Sequence, residues 1–348
     1  MSEIIRNTTL RQLAAEWMSG GKRVIGPTQV KDRVLYAPLA APESLLLDGF
    51  LPSPQQAKTG LAGGPVRPAN SIKEFFFPKQ ETLYQYRIKG REIQLIEPAQ
   101  SKQEQIILGA RPCDAAALPI LDHVFNWDFA DEFYNLRRAA STVVTIACGA
   151  PDEACFCTSV GLGPEDQRGS DAILLELGDG RYELRCVTEK GKALFSGKSE
   201  NSSETAKAAP LPERKFDAAK VRAFVGSHFE DPFWAEHGRT CLACGVCAFS
   251  CPTCHCFDIV DAGASAGSAR VRTWDTCQFP IFTLHASGHN PRGAQPARQR
   301  QRILHKFSIY PEKFGEILCT GCGNCVRNCP VGMGVLSMLT EIQSGQHL

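Results

Sequence analysis

The sequence predicts an α/β domain over residues 1–195, joined through a linker at 196–215 to a smaller, mostly α-helical domain over 216–348. Three observations support this division. Apolar runs of strand length alternate with a helical pattern between residues 104 and 147. The stretch SGKSENSSETAKAAPLPE at 196–213 offers little that could pack. Beyond it, six cysteines fall between 241 and 256 and four more between 319 and 329.

In the first domain, residues 1–30 read as a helix followed by a turn at GGKRVIGPT. Short strand-like runs follow (RVLYAPL, YQYRIKG, EIQLIEP), separated by Gly- and Pro-rich turns. SIKEFFFPKQETLY is unusually aromatic and reads as a buried edge segment ended by Pro78. The run EQIILGA (104–110) is an apolar strand, the loop RPCD follows, and AAALPILDHVFNW has the 3.6-residue apolar period of a helix, with Asp114 placed to cap it. STVVTIA (141–147) is a second buried strand. AILLELGDGRYELRCV (172–187) is a hairpin turning around Gly178–Gly180. Strands alternating with helices imply some parallel pairing. In the second domain, DAAKVRAFVGSHFEDPFWAEHG reads as a helix leading into the cysteine region.

Composition narrows the class. Lys plus Arg is 38 against 37 for Asp plus Glu, so no global charge draws the chain to nucleic acid or an acidic membrane. No stretch is long and apolar enough to span a bilayer, and the first twenty residues lack the continuous apolar core of a secretory signal. The expectation is a cytoplasmic chain with no membrane span. Sixteen cysteines in such a chain point to metal binding or redox chemistry rather than disulfides.

The spacing selects the metal. Cys241, Cys244, Cys247 and Cys251-Pro252 form C-x2-C-x2-C-x3-C-P, and Cys319, Cys322, Cys325 and Cys329-Pro330 repeat it. This is the two-cluster bacterial ferredoxin pattern, in which the fourth cysteine of each run ligates the other cluster. One [4Fe–4S] cluster is therefore expected on Cys241, Cys244, Cys247 and Cys329, and a second on Cys319, Cys322, Cys325 and Cys251. Gly245, Gly321 and Gly323 let the backbone wrap closely and turn N–H groups toward sulfur. Paired four-cysteine zinc sites are the competing reading, but those show two well-separated C-x2-C pairs. The second domain is accordingly expected to be ferredoxin-like.

A third set lies in the first domain. Cys113 follows one apolar strand and Cys148 the other, with Cys155 and Cys157 in the same loop as Cys148. Loops at the carboxyl ends of neighbouring parallel strands converge on one crevice, so four thiols meet there if the strands are neighbours. A cluster, zinc and simple burial are the three readings of that set. Cys254, Cys256 and Cys277 are either buried apolar side chains or part of a further cluster with no evident fourth ligand, and Cys186 is structural. Between Asp275 and Glu312 there is no acidic residue, while Arg292, Arg298, Arg300, Arg302 and Lys306 gather, as a solvated helix face or as cations balancing anionic clusters. Without interleaved aromatic residues they do not indicate nucleic-acid binding. No G-x-G-x-x-G follows a strand, no P-loop occurs, GLAGG at 60–64 lacks the context for phosphate, and no catalytic residue is assigned.

In this order, the segments EFFFPKQETLY, GARPCDAAAL, ACGAPDEACFCTSVGLGP, CLACGVCAFSCPTCHCFDIVD, WDTCQF, GHNPR and CTGCGNCVRNCPVGM resemble the iron–sulfur beta subunit of cytoplasmic NAD(P)-linked [NiFe] sulfhydrogenases. The same family of 4Fe–4S dicluster proteins includes the A subunit of anaerobic sulfite reductase. The likeness covers roughly residues 30–335. It implies an electron-transfer subunit beside a partner that carries FAD and a [2Fe–2S] cluster and handles NAD(P)H. A [NiFe] hydrogenase or reductase catalytic subunit supplies or uses the electrons. The family positions of Cys113, Cys148, Cys155 and Cys157 imply a third [4Fe–4S] cluster, and those of Cys254, Cys256 and Cys277 an alternative ligand set. A rival function is an enzyme with its own sulfur-substrate site at the N-terminal-domain cluster; a zinc-stapled scaffold is a third.

Overall fold

A computed structural model describes residues 2–47, 67–98, 103–264 and 267–345. GLAGG lies outside the described residues. The elements of the first part are β1 (Ser2–Arg6), α1 (Asn7–Ser19), β2 (Arg23–Val30), β3 (Arg33–Pro38), β4 (Gln80–Lys89), β5 (Glu92–Ile96), β6 (Gln105–Ala110), α2 (Pro112–Ala115), α3 (Ala117–Phe125), α4 (Glu132–Ala139), β7 (Ser141–Ile146), β8 (Ala172–Gly178), β9 (Arg181–Cys186), α5 (Glu189–Phe195) and β10 (Glu200–Ser202). Those of the second are α6 (Ala218–Ser227), α7 (Phe233–Gly238), α8 (Val246–Phe249), β11 (Phe257–Ala264), β12 (Gly267–Trp274), α9 (Gln295–Leu304), α10 (Tyr310–Phe314), α11 (Asn324–Arg327) and α12 (Val335–Ser344). No helix among the described residues is long and apolar enough to cross a membrane.

Eight strands form the main sheet in the order β10-β1-β9-β8-β7-β6-β2-β3. Its centre is parallel: β2 pairs with β6, β6 with β7, and β7 with β8. β6 is buried at every position because helices cover both faces of the sheet. Its residues divide by the two-residue period of a strand. Ile106 and Leu108 pack with Leu10, Leu13 and Trp17 of α1, while Ile107 packs with Leu118 and Leu121 of α3. Phe75, Phe76 and Phe77 fill the α3 side, so the aromatic segment is a buried wedge.

Several elements differ from the sequence reading. The first thirty residues hold two strands besides the helix, because Ile4 and Ile5 of β1 pair with β9 at the sheet's far side. Asp114 does not cap α3; it lies inside α2, with its carboxylate taken by Arg111 (3.0 Å) and the Tyr36 hydroxyl (3.1 Å). The single helix expected at 217–238 is two, broken at Asp231-Pro232. The segment read as a linker contributes β10 to the sheet edge through pairs with β1.

The second part is not wholly helical. β11 and β12 form a hairpin that continues an antiparallel sheet, β11-β12-β4-β5, whose other two strands come from the first part. Arg272 of β12 pairs with Glu81 of β4 and with Asp131 ahead of α4, tying the hairpin to the first domain. A separate core under the cysteine loops joins Phe224, Phe233, Phe307, Met338 and Leu339, and also takes Phe156 from the first part.

Leu108→Ala removes a fully buried side chain from the two-faced centre of the main sheet. Such truncations cost about 2–5 kcal/mol. The expected outcome is a lower denaturant midpoint at an unchanged slope.

Candidate metal centre

The two cysteine runs fold alike. In each, a left-handed glycine precedes a one-turn helix: Gly245 (φ 75°) before α8 and Gly323 (φ 75°) before α11. The turn folds three thiols around one centre, and the C-P end sends the fourth toward the other run. One small cavity is lined by Cys241, Cys244, Cys247 and Cys329. The other is lined by Cys251, Cys319, Cys322 and Cys325. The structure thus brings together both quartets that the spacing predicts, each borrowing one cysteine from the opposite run.

Donors point at the sulfurs. Gln295 Nε2 (3.0 Å) and Gln299 Nε2 (2.7 Å) donate to Cys241 Sγ, and the Met333 amide donates to Cys329 Sγ (3.1 Å). The Gly321 amide donates to Cys319 Sγ (3.4 Å). Lys306, fully buried, donates to Cys251 Sγ (3.4 Å), to Thr253 Oγ1 (3.2 Å) and to the Leu318 carbonyl (2.9 Å). Burial opposes the Lys306 charge, but Cys251, Cys254 and Cys319 together hold its ammonium above the usual range. Arg302 donates to the Cys247 carbonyl (2.9 Å). The basic stretch is therefore not a solvated face: Arg298, Arg302 and Lys306 are buried, because α9 packs its cationic side against the thiols.

Both quartets suit a multi-atom cluster. Burial pushes the Cys247 thiol to about 11 and Cys319 to about 12, so each needs a bound cation to release its proton near neutrality. Arg302 Nε and Thr320 Oγ1 are buried without a protein partner, and both residues line the second cavity. Unpartnered buried donors of this kind fit an anionic group at the centre. Among the described residues, no three His, Cys, Asp or Glu side chains converge closely enough for a single metal ion. Thiols spread around a cavity are the arrangement that a cube of metal and sulfide requires.

β6 and β7 are parallel neighbours, so the loops after them meet. Cys113 lies within electrostatic range of Cys148 and Cys155, and Cys157 within range of both as well. Burial pushes Cys157 up to about 11. Arg67 approaches Cys148 Sγ (3.6 Å), and Arg327 donates to Cys155 Sγ (3.1 Å). Arg327 also clamps Asp152 through two hydrogen bonds (2.8 and 2.6 Å) and donates to the Cys322 carbonyl (2.7 Å). Burial opposes the Asp152 charge, yet Arg327 and Arg67 hold its carboxyl well below the usual range.

This third set adjoins the second quartet. The Phe156 amide donates to the Gly321 carbonyl (2.9 Å), and a methyl on Gly321 would stand 2.5 Å from the Cys157 backbone. Cys322 lies within electrostatic range of Cys113 on one side and Cys325 on the other, and Cys247 of the first quartet lies within range of Cys325. The thiols thus run from the N-terminal loop through the second quartet to the first, where Cys244 is exposed.

The remaining cysteines sit beside this line. Lys73, a buried lysine from the aromatic segment, donates to the Cys254 carbonyl (2.9 Å). Cys256 and Cys277 line one pocket together with His255 and His305. Cys186 stands apart at the end of β9. Sequence reasoning missed Arg111, Arg327 and Lys73, although Arg111 and Arg327 stand inside the cysteine motifs, where a cation next to a thiol was the available signal. Arg67 and Asp152 carried none.

Comparison with known proteins agrees with this geometry. Residues 240–333 match the family model of the 4Fe–4S dicluster domain, so this segment is similar to iron–sulfur, two-cluster domains. Over 286 residues it is 29% identical to Sulfhydrogenase 2 subunit beta of Pyrococcus furiosus, covering 78% of this chain and 83% of that one. The likeness read from the motifs is thus met along most of the chain. No solved structure matches.

Gly321→Ala adds a side chain where φ is 63° and the neighbouring backbone leaves no space. The left-handed conformation alone costs about 1–2 kcal/mol. The expected outcome is a protein with less iron per chain and faster proteolysis at 150–157, with its far-ultraviolet circular dichroism retained.

Proposed function

We propose that this chain is an electron-transfer subunit that relays electrons between a partner handling NAD(P)H through a flavin and a hydrogenase- or reductase-type catalytic subunit. The observation that carries the reading is the unbroken line of thiols from the 113/148/155/157 crevice through two cavities to the exposed Cys244. The sulfhydrogenase name of the relative supports the choice of partners. FAD and NAD(P) belong to the partner on this reading, and the working compartment is the cytoplasm.

Cys241, Cys244, Cys247 and Cys329 hold one [4Fe–4S] cluster, Cys251, Cys319, Cys322 and Cys325 a second, and Cys113, Cys148, Cys155 and Cys157 a third. When bound, such clusters accept and release single electrons. The chain's own residues set the conditions. Gln295, Gln299 and the Gly321 and Met333 amides place N–H groups on the ligand sulfurs, which favours the more negative, reduced state. Lys306 and Arg302 add buried positive charge beside the second quartet, and Arg327 does so between that quartet and the third. The aromatic core of Phe156, Phe216 and Phe307 keeps water from the inner quartet. Exposure of Cys244 leaves the outer quartet open to a partner.

Cys322→Ser tests the relay. The expected outcome is loss of about one cluster's iron and collapse of electron passage, with the partner subunits still co-purifying. Unchanged turnover with that cluster missing overturns the relay. Lys306→Met tests the electrostatic role: the midpoint potential of the second cluster is expected to move negative, read by EPR-monitored redox titration, with iron content maintained.

A further inference from the structure

Arg111 stands where the third set of thiols meets the second quartet. It follows β6 and precedes Cys113 by two residues, and its Nη2 reaches Asn324 Oδ1 (3.5 Å), in the turn between Cys322 and Cys325. Arg111 and Asp114 are both buried. The Tyr36 hydroxyl accepts from the Arg111 amide (3.1 Å) and donates to Asp114 Oδ2 (3.1 Å), the same oxygen that takes Arg111 Nε (3.0 Å). Two arms of the guanidinium are thus fixed, and the third, Nη1, is buried without a protein acceptor. Asn324 completes the join. Its Oδ1 also accepts from Arg327 Nη1 (3.4 Å), and its Nδ2 donates to the carbonyl of Ser250, the neighbour of Cys251 (3.1 Å). The two guanidiniums on this amide differ. Arg327 gives its donors to Asp152, to Cys155 Sγ and to the Cys322 carbonyl, whereas Arg111 keeps one donor open. A permanent charge in such a buried place is weakly screened and acts on everything around it.

We propose that Arg111 is a cation shared by the second and third clusters, one buried charge that raises the reduction potential of both. The inference rests on the reading of Cys113, Cys148, Cys155 and Cys157 as cluster ligands. Net charge near a cluster is one of the terms that set its potential, and a cation favours the reduced, more negative form. Arg111 adjoins one ligand set through the chain and the other through Asn324, so a single guanidinium serves both. The two inner potentials therefore move together when this charge changes. Asp114 acts with the opposite sign, and its carboxylate also holds the guanidinium in place. The planar fork of arginine is what allows this: one arm stays on Asp114 while another crosses to the second cysteine run, which the single ammonium of a lysine does not reproduce.

The test uses the full-length, iron-loaded protein purified without oxygen, with iron counted and midpoint potentials read by EPR-monitored redox titration. Signals are assigned from Cys322→Ser and Cys157→Ser, each expected to lack one cluster. Arg111→Gln is expected to move the second and third potentials negative together, and Asp114→Asn to move both positive. The first cluster moves less than either, and iron per chain is unchanged. Arg111→Lys, which keeps the charge, stays nearer the wild type than Arg111→Gln. A merely structural role would not give opposite signs in the two variants. Potentials that stay put in both variants, or movement of only one inner cluster, overturn the shared cation. Wild-type iron sufficient for two clusters, with no signal lost in Cys157→Ser, overturns the three-cluster reading itself and the shared cation with it. If Arg111→Gln does not fold, the isosteric Asp114→Asn decides alone: a positive shift of both inner potentials supports the proposal, and any other result overturns it.

Discussion

The structure depends on one close contact, between the loop at 154–157 and the backbone at 321–323. Two glycines make it possible: a side chain at Gly321 would strike the Cys157 backbone, and one at Gly323 would strike the Ala154 carbonyl. Arg327 closes the contact by joining Asp152, Cys155 and the Cys322 carbonyl. Through it, the cysteine crevice of the α/β sheet abuts the cavities of the second part. A gap here would leave two separate redox modules. Packing at backbone distance makes one continuous set of thiols.

Buried thiols in this number create an electrostatic problem, and the chain meets it with buried cations. A thiol in an apolar setting resists ionisation, as the raised values of Cys157, Cys247 and Cys319 show. Arg111, Arg302, Lys306 and Arg327 are all buried or nearly so among these thiols, each held by carbonyl, carboxylate or amide oxygens. A buried cation without a counter-charge would be strongly destabilising. Thiols and cations therefore require each other, and the unpartnered donors on Arg302 and Thr320 mark where a further anionic group would complete the set.

The two halves also share a sheet. β4 and β5 leave the first domain's sequence and pair with the β11–β12 hairpin that follows the first cysteine run. Arg272, fixed between Glu81 and Asp131, locks this join, and Lys73 reaches from the aromatic wedge across to the Cys254 carbonyl. The halves are thus joined by backbone hydrogen bonds, aromatic packing and ion pairs, so that the distances between the thiol sets are fixed by rigid elements rather than by a tether.

The sequence by itself determined the repeated cysteine spacing, the buried strands β6 and β7 and the hairpin β8–β9. In each case the information is local: cysteine spacing over a dozen residues, an unbroken apolar run, a Gly-Asp-Gly turn. The strand β1, the break between α6 and α7, and the role of Asp114 were not legible, because a five-residue strand has no pattern of its own and a carboxylate can cap a helix or pair with an arginine. Only the tertiary structure decided that the basic stretch at 292–306 turns its charge inward, that residues 200–202 edge the main sheet, and that Cys256 and Cys277 line one pocket. Those outcomes rest on which surfaces come to face each other across long stretches of chain, and contacts between distant segments leave no spacing in the sequence to read.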